Sequence, residues 1–291
     1  MMRGQRYLAV AVRAPSSEIV VKSEELPRRL YQGPLTRIPF LRGSIVLWDT
    51  IGLGMRALMF SADVAMGEED VKLSKPVAWS TAAVGIILGV GIFFVLPVVL
   101  TALVHDQVGG SLAANVLEGL VRIGLLIAYV WAIGFFPDIG RVYMYHGAEH
   151  KAINAFEAGA RLRVDAMLPY SIRHPRCGTN FLLIVGLLAI AVFAPLGRPD
   201  SWPVLLGSRI VLIPLIAGIA YEAIKWGAAH IEHPIVAGLM APGLALQGLT
   251  TREPDESQVE VAATALREVL RLERPEFLDE AEHQAVPEPI A

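Results

Sequence analysis

Long apolar stretches separated by short polar segments dominate the middle of this chain. The clearest of them, residues 76–104, carries no charged side chain and is long enough for a transmembrane helix. Similar patterns predict three further spans, at residues 115–136, 181–196 and 202–226, of which 181–196 is short. The hydrophobic pattern therefore predicts a mainly α-helical, polytopic membrane bundle with about four transmembrane helices.

A different pattern precedes the bundle. Residues 7–13 and 19–25 are short runs rich in β-branched residues on either side of Pro15-Ser16-Ser17, which predicts an N-terminal β-hairpin. An isolated hairpin is only marginally stable in water, so this one is expected to pack against another element.

Residues 39–65 have a helical pattern that is interrupted by regularly spaced charges. These charges are seven residues apart and so form one stripe: Arg42, Asp49, Arg56 and Asp63. Each charge would cost about 3 kcal/mol near the centre of a bilayer. The pattern therefore favours an interfacial or intra-bundle helix over a span, with the stripe either solvated or lining a site.

The C-terminal part has two further helical patterns. Residues 234–248 are apolar, but Pro242-Gly243 is expected to break the helix, which favours an interfacial or re-entrant segment. Residues 257–272 are amphipathic, and a Pro- and Glu-rich tail that is predicted to be disordered follows them. Three segments result: the hairpin segment 1–38, the membrane domain 39–250, and the amphipathic helix with its acidic tail, 251–291.

Composition supports a membrane protein. Hydrophobic residues make up 54% of the chain and charged residues 18%, whereas soluble domains carry about 25% charged residues. Residues 253–291 have a net charge of −8 (11 acids, 3 arginines), which leaves +5 for the remainder. This suits an anionic membrane surface, and no nucleic-acid partner is expected. The single cysteine excludes an internal disulfide, and the basic, strand-like N-terminus predicts no signal peptide.

The distribution of Lys and Arg predicts the orientation in the membrane. Residues 1–75, 137–180 and 227–291 contain 11, 6 and 4 of them, and the loops between contain none (105–114) and one (Arg198). Positive residues accumulate on the cytoplasmic side. The chain is therefore predicted to be a multi-pass protein of the inner (plasma) membrane with both termini, and segment 137–180, in the cytoplasm.

The candidate chemistry lies in that cytoplasmic segment, in the stretch YHGAEHKAINAFE. His146, Glu149 and His150 are spaced i, i+3 and i+4, so their side chains share one face of a helix. Two imidazoles one turn apart can bind a divalent metal such as zinc, and Glu149 can act as the general base. The alternative is that these side chains only hydrogen-bond to one another and cap neighbouring segments.

Three further residues are candidate ligands on the same face of the membrane. His174 and Cys177 lie in HPRCGTN, just before residues 181–196, and either could supply a third ligand. Glu222 lies 72 residues beyond His150, and inverted zinc proteases resemble this arrangement of HxxEH and a later glutamate. The alternatives are that Cys177 is a small buried hydrophobe, that Asn180 caps a helix, and that Glu222 pairs with Lys225.

These blocks carry a resemblance. FLRG at 40–43, the apolar spans, YHGAEHKAINAFE and HPRCGTNFL resemble the YqhQ family of uncharacterised bacterial membrane proteins over nearly the whole chain to about residue 247. The resemblance implies a domain of unknown function that is predicted to be metal-dependent. By motif match, the positions of the family's two histidine-containing blocks that carry over to this sequence are His146, Glu149, His150, His174 and Cys177. The sequence differs from the family at one point. The family usually has a glycine-rich segment with polar residues ahead of the residues that are Met1-Met2-Arg3-Gly4 here, and this sequence starts at Met1.

Three functions follow as hypotheses. The first is a zinc-type membrane hydrolase, with peptide bonds as the substrate class that HxxEH suggests. The second is a non-enzymatic assembly or regulatory factor with a structural metal or polar cluster, and the third is ion transport. Besides the lipid bilayer, other membrane proteins or further copies of the chain are the expected partners.

Overall fold

The computed structural model describes residues 1–27, 38–66, 75–104, 107, 109–196 and 201–277. The strands are β1 (Met2–Arg3), β2 (Tyr7–Arg13) and β3 (Ile19–Glu25). The helices are α1 (Leu41–Met66), α2 (Lys75–Val90), α3 (Leu96–Leu103), α4 (Ser111–Ile133), α5 (Pro137–Glu157), α6 (Val164–Met167), α7 (Gly178–Phe193), α8 (Trp202–Ala229), α9 (Pro234–Thr250) and α10 (Glu256–Glu273), and a π-helical turn, Gly91–Val95, joins α2 to α3. Most of the acidic tail, 278–291, lies outside the described residues.

The predicted hairpin is confirmed. Strands β2 and β3 pair antiparallel in the register Tyr7↔Glu25 to Arg13↔Ile19, and Ser17 completes the turn with a positive φ of 70°. A third strand, β1, pairs with the other edge of β2. Two residues are too few to show an alternating pattern, so the sequence did not reveal this strand.

The sheet lies between two helical layers. On one face, Leu8 and Val10 pack with Leu53 of α1. On the other face, Ala9 and Ala11 join a larger core to which α5, α6 and α10 contribute. Each β2 side chain thus meets a helix on its own side, as the pleat of a strand requires. The expectation that the hairpin packs against another element is confirmed.

Helix α10 has the amphipathic pattern that its sequence predicts. Asp255 caps it, since its side chain accepts a hydrogen bond from the Gln258 amide while the Gln258 side chain accepts one from the Asp255 amide. The predicted apolar face is buried in the larger core: Val259, Ala263, Leu266 and Leu270. This helix joins the N-terminal sheet to α5.

Four helices among the described residues are long and apolar enough to cross a membrane: Arg42–Met66, Ala83–Leu103, Ser111–Ile133 and Pro203–Ala229. The number agrees with the prediction, but the set differs. Helix α7, predicted as a span, has only 16 residues, and α1, predicted not to span, has the required length. The middle of α1 nevertheless packs against the sheet, where Arg56 pairs with Glu24 at 3.1 Å.

Helix α9 differs from its predicted form. It continues through Pro242 and Gly243 to Thr250, so the predicted break is wrong. Gly243 instead allows α9 to approach α7 closely, because a Cβ there would lie 2.8 Å from the side-chain oxygen of Asn180 in α7. The two residues therefore allow α9 to pack closely on the start of α7.

A group of buried charges lies among the apolar helices. Glu118 and Arg122 of α4 are four residues apart and pair at 2.9 Å, and Arg209 of α8 joins them 3.4 Å from the Glu118 carboxylate. Arg122 also donates to the Phe93 carbonyl of the π-helical turn, and Arg209 donates to Asn115. Opposite charges and oriented acceptors offset the desolvation of these side chains.

Candidate metal centre

Helix α5 carries His146 and His150 on the face that meets the end of α9. The two rings are 4.4 Å apart. Between them on the helix, Gly147 lets the backbone after α9 approach, since a Cβ at this position would lie 2.2 Å from the Arg252 carbonyl oxygen. The Arg252 amide in turn donates to the Tyr143 carbonyl at 3.0 Å. The close crossing places main-chain carbonyls beside the histidine rings.

Both imidazoles are oriented by those carbonyls. Nδ1 of His146 lies 2.9 Å from the Thr250 oxygen, and Nδ1 of His150 lies 2.6 Å from the Ile172 oxygen. A carbonyl only accepts, so each Nδ1 carries the proton and donates it. Nε2 of each ring is left as the available nitrogen, which is the arrangement typical of histidines that bind metals.

Cys177 lies at the meeting point of these rings. Its sulfur is 3.3 Å from Nε2 of His146, and it also caps α7 by accepting a hydrogen bond from the Thr179 amide. Burial alone would raise the pKa of the Cys177 thiol, but hydrogen bonds from His146 and His150 outweigh burial and lower the pKa to about 5. The thiol is therefore poised to act as a thiolate.

The same contacts act on His146 in the opposite direction. Burial lowers the pKa of the His146 imidazole, but the hydrogen bond and charge of Cys177, the Thr250 carbonyl and the charge of Glu149 together raise it. Thiolate and imidazolium therefore stabilise each other. A metal ion would take the place of the shared proton.

The three side chains fit a zinc ion. One ligand atom from each of His146, His150 and Cys177 lies within 4.8 Å of the others. Around tetrahedral zinc, with bonds of 2.0–2.3 Å, ligand atoms are about 3.5 Å apart, so the observed spacing needs only small side-chain rotations. Of the two residues that the sequence offered as a third ligand in this block, Cys177 is the one whose ligand atom lies within this distance of both histidines.

The loop that carries Cys177 is fastened along α5. Lys151 donates to the Leu168 and Tyr170 carbonyls. Asn154 donates to the Ser171 and Arg173 carbonyls, and His150 donates to the Ile172 carbonyl that lies between them in the sequence. Lys151 is 3% exposed, and Glu253 compensates its charge at 2.6 Å. The HKAIN part of the motif, residues 150–154, therefore holds the loop in place and also provides His150 to the candidate metal site.

The other end of the loop is held by α9. Gln247 is fully buried, and its amide group accepts from the His174 amide at 2.9 Å and donates to the His174 carbonyl at 2.8 Å. It also donates to Asn180, whose own amide donates to the Pro175 carbonyl. The alternative in which Asn180 caps α7 is wrong, because Cys177 has that role. Nothing in the spacing along the chain pointed to Gln247 or Thr250.

His174 is adjacent to the three candidate ligands but has other partners. Its ring centre is 5.9 Å from that of His150. Nδ1 accepts from the Arg176 amide at 3.2 Å, and Nε2 lies 3.4 Å from a Glu157 oxygen, to which it donates. Burial, followed by the charge of His150, lowers the pKa of His174, so the neutral ring persists. With both nitrogens engaged, His174 supports the loop.

Glu222 is not brought to this cluster. Its carboxylate accepts two hydrogen bonds from the Arg42 guanidinium, and the Phe40 amide lies 3.4 Å from one of its oxygens. A bidentate guanidinium satisfies this half-buried carboxylate better than the flexible Lys225 that the sequence suggested as a partner. The arrangement assigns Glu222 to the contact between α1 and α8, which corrects its prediction as a ligand.

Glu149 lies beside the histidines and remains accessible. Its side chain is 42% exposed, and the Met1 amino group lies 3.9 Å from one oxygen. It lines two cavities that His146 also borders. One, of about 600 Å³, has a charged lining that includes Arg3, Arg176 and Glu273; the other, of about 530 Å³, is largely apolar. Glu149 can therefore reach a molecule in either cavity.

These features define a mainly helical protein in which four helices of membrane-spanning length and a small sheet support a His–His–Cys cluster. The sequence profile of a family described as "Protein of unknown function (DUF1385)" matches residues 38–272. The chain is also 31% identical over 290 residues to "Uncharacterized protein YqhQ" of Bacillus subtilis (strain 168), which covers 94% of this chain and 90% of that protein. It belongs to the YqhQ (DUF1385) family, as its two histidine-containing blocks predicted. No solved structure matches the chain.

Proposed function

We propose that the chain is a zinc-dependent hydrolase of the inner membrane, with its site on the cytoplasmic side. One observation carries this proposal: the Thr250 and Ile172 carbonyls hold both Nδ1 atoms and leave the Nε2 atoms beside the Cys177 thiolate. Three protein ligands with a cavity beside them are typical of catalytic zinc sites, whereas structural sites close with a fourth ligand.

Each residue then has a distinct task. His146, His150 and Cys177 would hold the zinc, which when bound lowers the pKa of a coordinated water molecule. Glu149 lies between His146 and His150 in the sequence and on the same helix face, and its exposed carboxylate would accept the proton of the attacking water. Lys151, Asn154 and Gln247 keep Cys177 in place by holding its loop.

The proposed base gives a specific prediction. Exchange of Glu149 for glutamine keeps the shape of the side chain but removes its proton affinity. We expect purified E149Q to retain zinc and to lose at least about a hundredfold in hydrolysis rate over a panel of ester and amide substrates, the usual contribution of a general base. The matched control is Glu232→Gln, at an exposed glutamate between α8 and α9. Wild-type rates in E149Q would contradict the hydrolase proposal.

The orientation in the membrane is testable separately. The 11, 0, 6, 1 and 4 distribution of Lys and Arg places Gly110 and Ser201 outside and Gly159 inside. Reporter fusions at these three positions should show that pattern. They also test the expected insertion of the chain into the lipid bilayer. An outside signal at Gly159 would place the site on the opposite face of the membrane.

A second candidate function rests on the Cys177–His146 pair itself. A thiolate at the start of a helix, 3.3 Å from an imidazole nitrogen, is an arrangement that nucleophilic cysteine hydrolases use. In that case Cys177 would attack the substrate, with no metal. The assembly-factor and ion-transport hypotheses stay predictions.

The reactivity of the thiol follows from its pKa of about 5. In protein stripped of metal, the thiolate predominates at all pH values above about 6, so the alkylation rate should change little between pH 8 and 6.5. An ordinary thiol, with a pKa of about 8.5, would slow more than tenfold over the same interval. Labelling with iodoacetamide followed by mass spectrometry measures this. If added zinc abolishes the labelling of Cys177, the result favours the metal site. If zinc leaves the labelling unchanged, the result favours a nucleophilic cysteine.

A further inference from the structure

The apolar cavity beside Glu149 follows one edge of the N-terminal sheet. Its lining includes four consecutive residues of β2, from Val10 to Arg13, whose side chains alternate between the two faces of the sheet. Met1 and Met2 border the cavity on the side of β1, whereas no residue of β3, which the structure describes throughout, lines it. The cavity, of about 530 Å³, is therefore a trough along the edge of β2 and not a pocket over one face.

The hydrogen-bonding pattern of β2 shows which main-chain groups face the trough. The Leu26 amide donates to the Arg6 carbonyl, so the even-numbered residues of this part of the chain exchange hydrogen bonds with β3. The odd-numbered residues therefore direct their N–H and C=O groups toward the other edge of β2. Tyr7 shows this direction, because its carbonyl accepts from the Gly4 amide on the side of β1.

Only part of that edge is paired. Strand β1 pairs with Leu8 and Ala9 alone. By the alternation of the strand, the next N–H and C=O groups on this edge belong to Ala11 and Arg13, and no described residue forms a hydrogen bond with them there. Ala11 is buried. Polar main-chain groups that are buried without partners cost free energy, so this part of the edge is suited to bind a further strand.

We infer that the open edge of β2 binds an extended peptide as an added strand, and that the trough holds a peptide substrate of the proposed hydrolase. A peptide supplies hydrogen-bonding partners for the main chain of Ala11 and Arg13. A hydrocarbon chain would fill the same space but leave these groups unpaired. The inference deepens the proposed function and rests on it for the cleavage chemistry only.

Strand β1 shows that an extended chain fits this edge, and the trough continues its line. Because Met2 is opposite Ala9, a strand added beyond β1 would pair with residues 10–13 and end beside Met1. Four residues at about 3.3 Å each span about 13 Å. The Met1 amino group lies 3.9 Å from a Glu149 oxygen, and His146 also lines the trough. One end of the bound peptide would therefore reach the proposed base and the His–His–Cys cluster.

The walls of the trough leave room for the side chains of the added strand. These side chains would alternate between the two faces of the sheet. One set would meet Gly54, Ala57 and Ser61 of α1, and the other would meet Ala262 and Ala265 of α10. The small wall residues suit apolar side chains on both faces. Helices on both sides admit a single strand, whereas the sheet of a second copy carries its own packed helices and would collide with them.

Two proline variants form a matched test. Ala11→Pro removes an N–H group that faces the trough, whereas Val21→Pro removes one on the outer edge of β3, directly opposite Ala11 in the register. Neither amide takes part in the pairing of β2 with β3, so proline is compatible with the sheet at both positions. Thermal unfolding midpoints within a few degrees of each other show that both variants retain the fold.

The measurement is fluorescence anisotropy of a fluorescein-labelled peptide, Lys-Ala-Val-Ala-Val-Ala-Lys, with protein in nanodiscs of phosphatidylethanolamine and phosphatidylglycerol. The protein is free of zinc, so the peptide stays intact and a failure to bind zinc or to hydrolyse affects the proposed function alone. We expect saturable binding to the wild type and to Val21→Pro. Binding to Ala11→Pro should be at least fivefold weaker, because a main-chain hydrogen bond is lost and the proline ring enters the trough.

Hydrogen exchange distinguishes strand addition from other modes of binding. Saturating peptide should slow exchange of the Ala11 and Arg13 amides in the wild type at least tenfold and leave the Val21 amide unchanged. Equal affinity for the two proline variants, or unchanged exchange at Ala11, would overturn the inference. Binding of a fluorescent dodecanoic acid without binding of the peptide would also overturn it, because the trough would then hold hydrocarbon.

A second pair of variants applies if Ala11→Pro does not fold. Gly54 lines the trough and Gly52 does not, and neither position has an atom within 4 Å of a built Cβ. Gly54→Phe should fill the trough and weaken peptide binding at least fivefold, whereas Gly52→Phe adds the same ring outside it and should bind like the wild type. Equal binding by these two variants would likewise contradict the inference.

Discussion

Exchange of Cys177 for serine is expected to lower the zinc affinity of the purified protein about a thousandfold. A zinc site of three to four ligands provides about 10–16 kcal/mol, so one ligand accounts for about 4 kcal/mol, and each 1.4 kcal/mol is a factor of ten. Serine keeps the size of the side chain, but its hydroxyl stays protonated and binds zinc poorly. The sulfur is also the atom that lies 3.3 Å from His146, so its loss removes the third corner of the cluster.

Competition with a chromophoric chelator in detergent measures this affinity, and zinc content by mass spectrometry supports it. His230→Ala is the matched control, because this histidine stacks on Trp226 and is exposed away from the cluster. We expect the control to bind zinc like the wild type and His146→Ala to behave like the serine variant. If both Cys177→Ser and His146→Ala still bind one zinc ion per chain, the metal binds elsewhere.

Gly147→Ala is expected to destabilise the fold and weaken the site together. The new Cβ would lie 2.2 Å from the Arg252 carbonyl oxygen, a distance that main chain cannot tolerate, so the segment after α9 must move. Such overpacking costs about 1–3 kcal/mol, and the Thr250 carbonyl that orients His146 moves with it. We expect a thermal midpoint several degrees lower and zinc affinity reduced about 10–100-fold, as for other losses of an orienting partner.

Gly124→Ala provides the comparison for this variant. Gly124 also lies within a helix, but no atom is within 4 Å of a Cβ built there. Alanine should be neutral or stabilise α4 by up to about 1 kcal/mol. Similar unfolding midpoints for the two alanine variants would show that the crossing of α5 and the segment after α9 is not as tight as described.

Much of the fold was predictable because its signals are local. The hairpin strands agree with the prediction residue by residue, and the bounds of α1, α4, α7 and α8 differ from the predicted ones by at most five residues. Where the prediction failed, longer-range contacts decided. The charges of α1 argued against a membrane span, but the helix is long and apolar enough for one, and Arg42 and Arg56 are paired with Glu222 and Glu24. No periodicity reveals partners so far apart in the chain.

The candidate site was predictable in part for the same reason. His146 and His150 are visible because a helix places residues four apart on one face, and Cys177 because it follows in the next block. The atoms that orient the two rings are main-chain carbonyls of Thr250 and Ile172, which leave no mark in the residue types. Glu222 looked like a ligand because its depth in an apolar helix required a cation, and the cation in the structure is Arg42.

The last turns of α9 determine which insertions and deletions this chain can accept. Gly243 and Gln247 hold the block with Cys177, and Thr250, at the end of the same helix, orients His146. One residue added or removed between 234 and 243 would rotate all three contacts by about 100° around the helix axis, and they would be lost in a single event. Homologous chains should therefore keep a constant number of residues between the proline at position 234 and the end of α9.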